Sequence, residues 1–172
     1  QALPKAVGMK GGVSPSIVDA TAGLGRDAFL LASLGAEVTL IERSAKMHEL
    51  LGDGMARAQA TGGEIADAIG RMTLLLGDAK DLLPDLSPDV VLVDPMHPPR
   101  KKSALVKSEM RLIREIVGTD EDSVDLMRVA LIAATKRVVL KWPLRADPMA
   151  DIAAPSHQIT GKSTRYDVFM IS

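Results

Sequence analysis

Ile17-Val18-Asp19-Ala20-Thr21-Ala22-Gly23-Leu24-Gly25-Arg26-Asp27 reads as a short apolar strand ending in an acid, a glycine-bearing turn, and the start of a helix. That helix is expected to run to Leu34 and stop at Gly35. The same alternation repeats outward. Further strands are expected at Glu37 to Glu42, Met72 to Leu76, Val90 to Val93 and Arg137 to Leu140, then at His157 to Thr160 and Tyr166 to Ile171. Helices are expected from Ala45 to Ala60, with Ser44 as N-cap, from Ala104 to Val117, and from Asp125 to Ala134. Strands that alternate with helices build a parallel sheet covered on both faces. The last two strands have no helix between them and should pair antiparallel at one edge. The fold class is therefore α/β, Rossmann-like: a mainly parallel seven-stranded sheet with an antiparallel edge hairpin. Pro84, Pro88, Pro95, Pro98, Pro99, Pro143, Pro148 and Pro155 are all expected in loops.

Composition narrows the class. The chain has 172 residues, 47% of them hydrophobic, which suffices for one domain with a real core. There is no cysteine, so disulfides and thiolate zinc sites are excluded. No apolar run approaches the ~20 residues of a membrane span, and no signal-peptide pattern opens the chain. A cytoplasmic protein with no membrane partner is expected. The first residue is Gln1, and the expectation is one catalytic domain over 1–172 with a preceding N-terminal segment absent.

In open α/β sheets, ligands bind at the carboxyl ends of the strands. Asp19, Gly23 and Gly25 lie at the end of the first strand, and Glu42 ends the second, where a carboxylate can accept from ribose hydroxyls. A tight turn in a protein without a ligand would look the same. Asp78 and Ala79 follow the third strand, where the carboxylate can accept from an adenine amino group; a helix N-cap at Asp78 is an equal reading. A dinucleotide loop usually reads G-x-G-x-x-G, but here Thr21 holds the first glycine position and Arg26-Asp27 follows the last. Asp27 would repel a pyrophosphate. The pattern suits a cationic, phosphate-free ligand such as S-adenosylmethionine.

Asp94-Pro95-Met96-His97-Pro98-Pro99 follows the buried fourth strand and is similar to the D/N-P-P-Y/F motif of amino-methyltransferases. An exocyclic base amine has its lone pair delocalised into the ring. Acceptors on its hydrogens, from Asp94 and the Pro95 carbonyl, would turn the nitrogen toward a methyl donor, and positioning would supply most of the catalysis. Met96 or His97 would line the base pocket. An ordinary proline turn is the plain alternative.

The chain resembles the bacterial ribosomal RNA small subunit methyltransferase J family, which methylates guanine N2 in 16S ribosomal RNA. The resemblance rests on Lys5 to Gly8, Asp19 to Ala28, Glu42-Arg43, Asp94 to Met96, Lys102 to Lys107, Glu109 to Arg111, Ala134 to Val138 and Arg165 to Asp167. It implies that Arg26, Asp27, Glu42, Arg43, Asp78, Ala79 and Asp94 contact S-adenosylmethionine, which leaves as S-adenosylhomocysteine. It also implies 16S ribosomal RNA, or the small ribosomal subunit, as partner. The family usually has an aromatic residue where His97 stands, so stacking of the base there is in question, and His97 reads equally as a solvent-facing loop residue. No metal is required, because the sulfonium already activates the methyl.

Net charge is −1, so any RNA surface must be local. Lys101, Lys102, Lys107 and Arg111, with Arg100 and Arg114, follow the Asp94 loop and are candidate phosphate contacts. Lys136, Arg137, Lys141 and Arg145, and then Lys162 and Arg165, are expected to join them on one basic rim. Solvated helix faces would show similar spacing. Trp142 reads either as a border of the substrate pocket or as core. The rivals are a methyltransferase for a small-molecule or protein amine, a nicotinamide oxidoreductase, and a non-catalytic RNA-binding module.

Overall fold

The computed structural model describes residues 1–95 and 120–172. The helix expected from Ala104 to Val117, and the site residues Met96, His97, Lys101, Lys102, Lys107 and Arg111, lie outside the described residues, as do Pro98, Pro99, Arg100 and Arg114.

The described elements are α1 (Ala2–Ala6), β1 (Ile17–Asp19), α2 (Arg26–Ser33), β2 (Val38–Glu42), α3 (Ala45–Ala60), α4 (Gly63–Gly70), β3 (Met72–Leu76) and α5 (Ala79–Leu86). They continue with β4 (Val90–Val93), α6 (Asp120–Ala133), β5 (Arg137–Pro143), β6 (His157–Thr160) and β7 (Thr164–Met170). The seven strands form one sheet in the order β3-β2-β1-β4-β5-β7-β6. The first five are parallel, and β7 runs antiparallel between β5 and β6. From β1 the chain winds outward to β2 and β3, then returns to start β4 on the other side. The crevice between β1 and β4 is thus the topological switch point, where α/β sheets bind ligands.

Side chains alternate across the sheet. Ile17, Leu92, Val139 and Val168 pack with α1, α2 and α4 on one face. Val18, Val91, Val93, Val138, Leu140 and Phe169 pack on the other face with Leu83 of α5 and Met127 and Ala130 of α6. Removing each such aliphatic side chain from water contributes about 1.5–3 kcal/mol, which anchors both helical layers to the sheet.

Two helices, α1 and α4, were not expected from the sequence, and α5 was read only as the helix that a cap at Asp78 would open. α1 has only five residues and is held by burial of Leu3 and Ala6. α4 is flanked by glycines that hide its pattern, yet it buries Ala68 and Ile69. α5 contains Pro84, which therefore lies in a helix and not in a loop. Its Asp78 cap and the fully buried Leu83 hold this short helix despite the lost N–H. Pro143 also departs from expectation, because β5 extends through it. The last pair with β4 is at Leu140, so among the described residues β5 has no paired strand on that side at Pro143, where a missing donor costs little.

Candidate active site

The carboxyl ends of β1 to β4 surround a cavity of about 280 Å³. Its apolar walls include Leu24, Ile41, Met47 and Leu126, and Glu42, Asp78 and Asp94 stand at its edges. Glu42 is buried and lines the cavity; its Oε2 accepts from the Ser44 backbone N–H at 2.8 Å. Ser44 in turn caps α3 by accepting from Met47 N–H at 3.2 Å. Asp78 serves as N-cap of α5, with Oδ1 accepting from Lys80 N–H at 2.9 Å, while still lining the cavity. Asp78 is therefore the helix cap of the plain reading, placed where it also borders the cavity. Arg43 and Lys80 line the same space, and each pairs with Asp122 of α6 at 2.6 Å. Burial disfavours the Asp122 charge, but the Lys80 and Arg43 cations outweigh it and lower its pKa.

Gly23, Glu42, Arg43, Asp78, Ala79, Asp94 and Pro95, all expected site residues, line this cavity. Asp19, Gly25, Arg26 and Asp27 do not; they stand behind or beside it. Gly25 takes φ +76° at the start of α2, and a Cβ there would meet Leu51 Cδ1 at 3.0 Å, so this glycine serves the close packing of the turn on α3.

Asp19 organises the turn. Its Oδ1 accepts from Thr21 N–H at 3.0 Å, and from the Thr21 hydroxyl at 3.4 Å. Thr21 Oγ1 accepts from the Asp94 backbone N–H at 2.7 Å. Thr21 therefore ties the end of β1 to the end of β4 and fixes where Asp94 begins. The sequence reading treated Thr21 only as a missing glycine. Thr21→Val should leave the Asp94 N–H unpaired and destabilise the fold by about 1–3 kcal/mol. Thr21→Ser should restore both stability and methyl transfer, as read by urea unfolding and by turnover.

Burial raises the Asp19 carboxyl to about 7, with Asp27 and Asp94 adding repulsion against the Thr21 hydrogen bonds. A raised folded pKa means that this contribution to stability is complete below pH ~4 and is lost as pH rises through 7. Asp19→Asn should therefore flatten the stability profile between pH 4 and 7 and gain up to about 4 kcal/mol over the native chain at pH 8. Urea midpoints at pH 5 and 8 measure this, and equal pH slopes in the two proteins would contradict it.

Lys141 completes the group. Its Nζ lies 3.2 Å from Asp27 and 3.8 Å from Asp94. Partial burial opposes its charge, but the Asp27 and Asp94 carboxylates raise its pKa. Tyr166, raised chiefly by burial, lies in the same electrostatic environment. The expected rim role of Lys141 is thus corrected: the side chain turns inward and balances two acids. Arg165 is corrected too, because it is buried against Asp167 at 2.8 Å and donates to the Ala146 carbonyl at 2.6 Å. Lys136 and Arg137 sit at the amino end of β5, away from the site; Arg137 donates to the Ala6 carbonyl and Lys136 pairs with Asp89. Only Arg145 and Lys162 of those later cations are exposed beyond the carboxyl ends.

The family model described as "Putative SAM-dependent methyltransferase" matches residues 1–171. The ribosomal RNA small subunit methyltransferase J of Agrobacterium fabrum is 70% identical over 171 residues, which are 99% of this chain and 82% of that protein. The chain belongs to this methyltransferase family. The protein of the same name from Brucella anthropi is 72% identical over 170 residues, covering 99% of this chain and 83% of its own. The crystal structure of a SAM-dependent methyltransferase from Neisseria gonorrhoeae superposes with a TM-score of 0.79 at 38% identity, covering 98% of this chain and 70% of that one. The α/β architecture is accordingly that of class I methyltransferases, and S-adenosylmethionine is the family's methyl donor.

The cavity fits that donor. Glu42 presents a carboxylate to the cavity, and its second oxygen has no protein partner among the described residues. The apolar walls beside Asp78 and Ala79 suit an adenine ring. Asp94 adds a second carboxylate to the cavity wall. The two lining cations are both drawn to Asp122, which leaves no basic cradle for a pyrophosphate among the described residues. Among the described residues, no group of His, Asp or Glu is arranged to hold a metal ion, and no helix is long and apolar enough to cross a membrane.

Proposed function

We propose that this methyltransferase modifies the exocyclic N2 of a guanine in 16S ribosomal RNA, either free or within the small ribosomal subunit. The observation that carries the reading is Asp94-Pro95 beside the donor cavity, in a chain 70% identical to a ribosomal RNA small subunit methyltransferase J. Residues 1–172 act as the catalytic domain, and the cytoplasm is where the substrate would be met.

Bound S-adenosylmethionine supplies a methyl already activated by its sulfonium. The Asp94 carboxylate and the Pro95 carbonyl accept from the two hydrogens of the guanine amine and aim its nitrogen. As the N–C bond formed and the S–CH3 bond broke, releasing neutral S-adenosylhomocysteine, positive charge would build on that nitrogen, and Asp94 would take the released proton. Lys141 lies between Asp94 and Asp27 and balances the charge of both. Glu42, Arg43, Asp78 and Ala79 hold the adenosine half, with Gly23 in the turn above it. Asp19, Gly25, Arg26 and Asp27 support that turn and the methionine end. Met96 or His97 would line the base pocket, and Lys101, Lys102, Lys107 and Arg111 would contact phosphates, with Arg145 and Lys162 as further exposed cations.

The test is transfer of labelled methyl to 16S ribosomal RNA, with a polyamine and a basic peptide as rival amine acceptors. Label entering RNA alone supports the proposal. Label entering either rival in preference would overturn it.

A further inference from the structure

Arg43 and Lys80, the two cations that line the donor cavity, meet on one side chain. Asp122 Oδ2 accepts from Arg43 Nη1 at 2.6 Å, and its Oδ1 accepts from Lys80 Nζ at 2.6 Å. Asp122, Ser123 and Leu126 bring the start of α6 into the cavity wall. One carboxylate thus ties the residue after β2, the first turn of α5 and the first turn of α6 around the same space. Holding α6 in place is not reason enough for this. α6 already buries Met127 and Ala130 against the sheet. The three charged side chains each keep a quarter to a third of their surface in water, where ion pairs contribute little to stability.

The pairing bears on what the cavity accepts. In α/β nucleotide sites an acid placed like Glu42 takes ribose hydroxyls, whereas an arginine nearby accommodates a phosphate carried on the ribose. Arg43 directly follows Glu42, and Lys80 lines the same cavity. Unpaired, the two cations would make a phosphate site at the ribose edge. Asp122 turns both from that use, and its hydrogen bond raises the Lys80 pKa. The described lining then sets four carboxylates, those of Glu42, Asp78, Asp94 and Asp122, against two cations. Such an excess attracts a sulfonium and repels a phosphate.

We propose that Asp122 determines the specificity of the donor site: by holding Arg43 and Lys80 together it closes the ribose edge to phosphate, so that the cavity rejects adenine nucleotides phosphorylated on the ribose. The inference rests on the placement of the adenosine half by Glu42 and Asp78. Adenosine phosphates share the base and ribose of the methyl donor, so the apolar walls do not tell the two classes apart. A contact that is unfavourable only to the phosphate does so without weakening the donor.

The test compares adenosine with adenosine 2′-monophosphate, each competing with labelled S-adenosylhomocysteine on the native chain, Asp122→Ala and Asp122→Glu. The native chain should bind the phosphate more weakly than adenosine. In Asp122→Ala the ratio of the two affinities should shift toward the phosphate by about 10-fold, the factor of one charge-assisted hydrogen bond. Asp122→Glu, whose carboxylate can still reach both cations, should keep the native ratio. Damage to the cavity wall alone would weaken both ligands alike and leave their ratio in place. A ratio within about 3-fold of native in Asp122→Ala would therefore overturn the proposal. So would loss of all S-adenosylhomocysteine binding in that variant, which would make Asp122 a structural residue. Adenosine that binds less well to Glu42→Ala than to the native chain keeps the placement of the adenosine half, and a failure then touches Asp122 alone. Adenosine indifferent to Glu42→Ala would remove that placement and the proposal with it.

Discussion

Asp94→Ala should lower turnover with 16S ribosomal RNA at least ~100-fold while S-adenosylhomocysteine affinity stays within about 5-fold of native. The carboxylate lies at the end of β4, its backbone N–H fixed by Thr21 and its side chain 3.8 Å from Lys141. Removing it deletes the acceptor that aims the amine and the group that takes its proton. Misplacing a reacting atom by even ~1 Å can cost 10²-fold. Asp94→Asn keeps an acceptor oxygen but loses the charge, so it should fall between the two. Lys141 would then face Asp27 alone. The comparison needs single-turnover rates and calorimetric titration on the same preparations. An Asp94→Ala variant within about 3-fold of native turnover would remove Asp94 from the mechanism.

Glu42→Ala should weaken S-adenosylhomocysteine binding by about 10- to 150-fold, the factor that corresponds to losing charge-assisted hydrogen bonds of ~1.5–3 kcal/mol. Glu42 is buried at the end of β2 and commits one oxygen to Ser44, which starts α3. Part of the effect of the alanine could thus come through the α3 cap. Glu42→Gln separates the two, because its amide oxygen can still accept from Ser44 N–H while the charge is gone. Binding in Glu42→Gln should remain well below native if the carboxylate holds ribose hydroxyls. Affinity restored to native would assign Glu42 to the cap alone.

Much of the sheet was legible because its strands are short apolar runs bounded by glycine, proline or acid. β1, β3, β4 and β6 fall where the pattern put them, and Ser44 opens α3 as its side-chain chemistry demands. α4 was hidden and α5 was read only as far as its Asp78 cap, because glycine and Pro84 speak locally against helix, while burial of Ile69 and Leu83 decides otherwise. The acids at the strand ends were legible for a related reason: strand polarity alone carries Glu42, Asp78 and Asp94 to one edge. Partnership was not. Lys141 and Asp27 are 114 residues apart, and nothing local told this inward lysine from an exposed one. The same blindness placed Arg165 on a rim, although it is buried with Asp167, and counted Arg137 on that rim, although it begins β5 at the opposite end. Thr21 was seen as a departure from a glycine motif, whereas its hydroxyl is what joins β1 to β4.

The most direct test of the account is the identity of the modified nucleoside. The native chain is incubated with S-adenosylmethionine and small subunits or 16S ribosomal RNA lacking the modification, and the RNA is digested to nucleosides and analysed by mass spectrometry. N2-methylguanosine should appear with the native chain and be absent with Asp94→Ala. Methylation found on another nucleoside, or on guanine at a ring nitrogen or ribose oxygen, would contradict the assignment of Asp94 and Pro95 to an exocyclic amine.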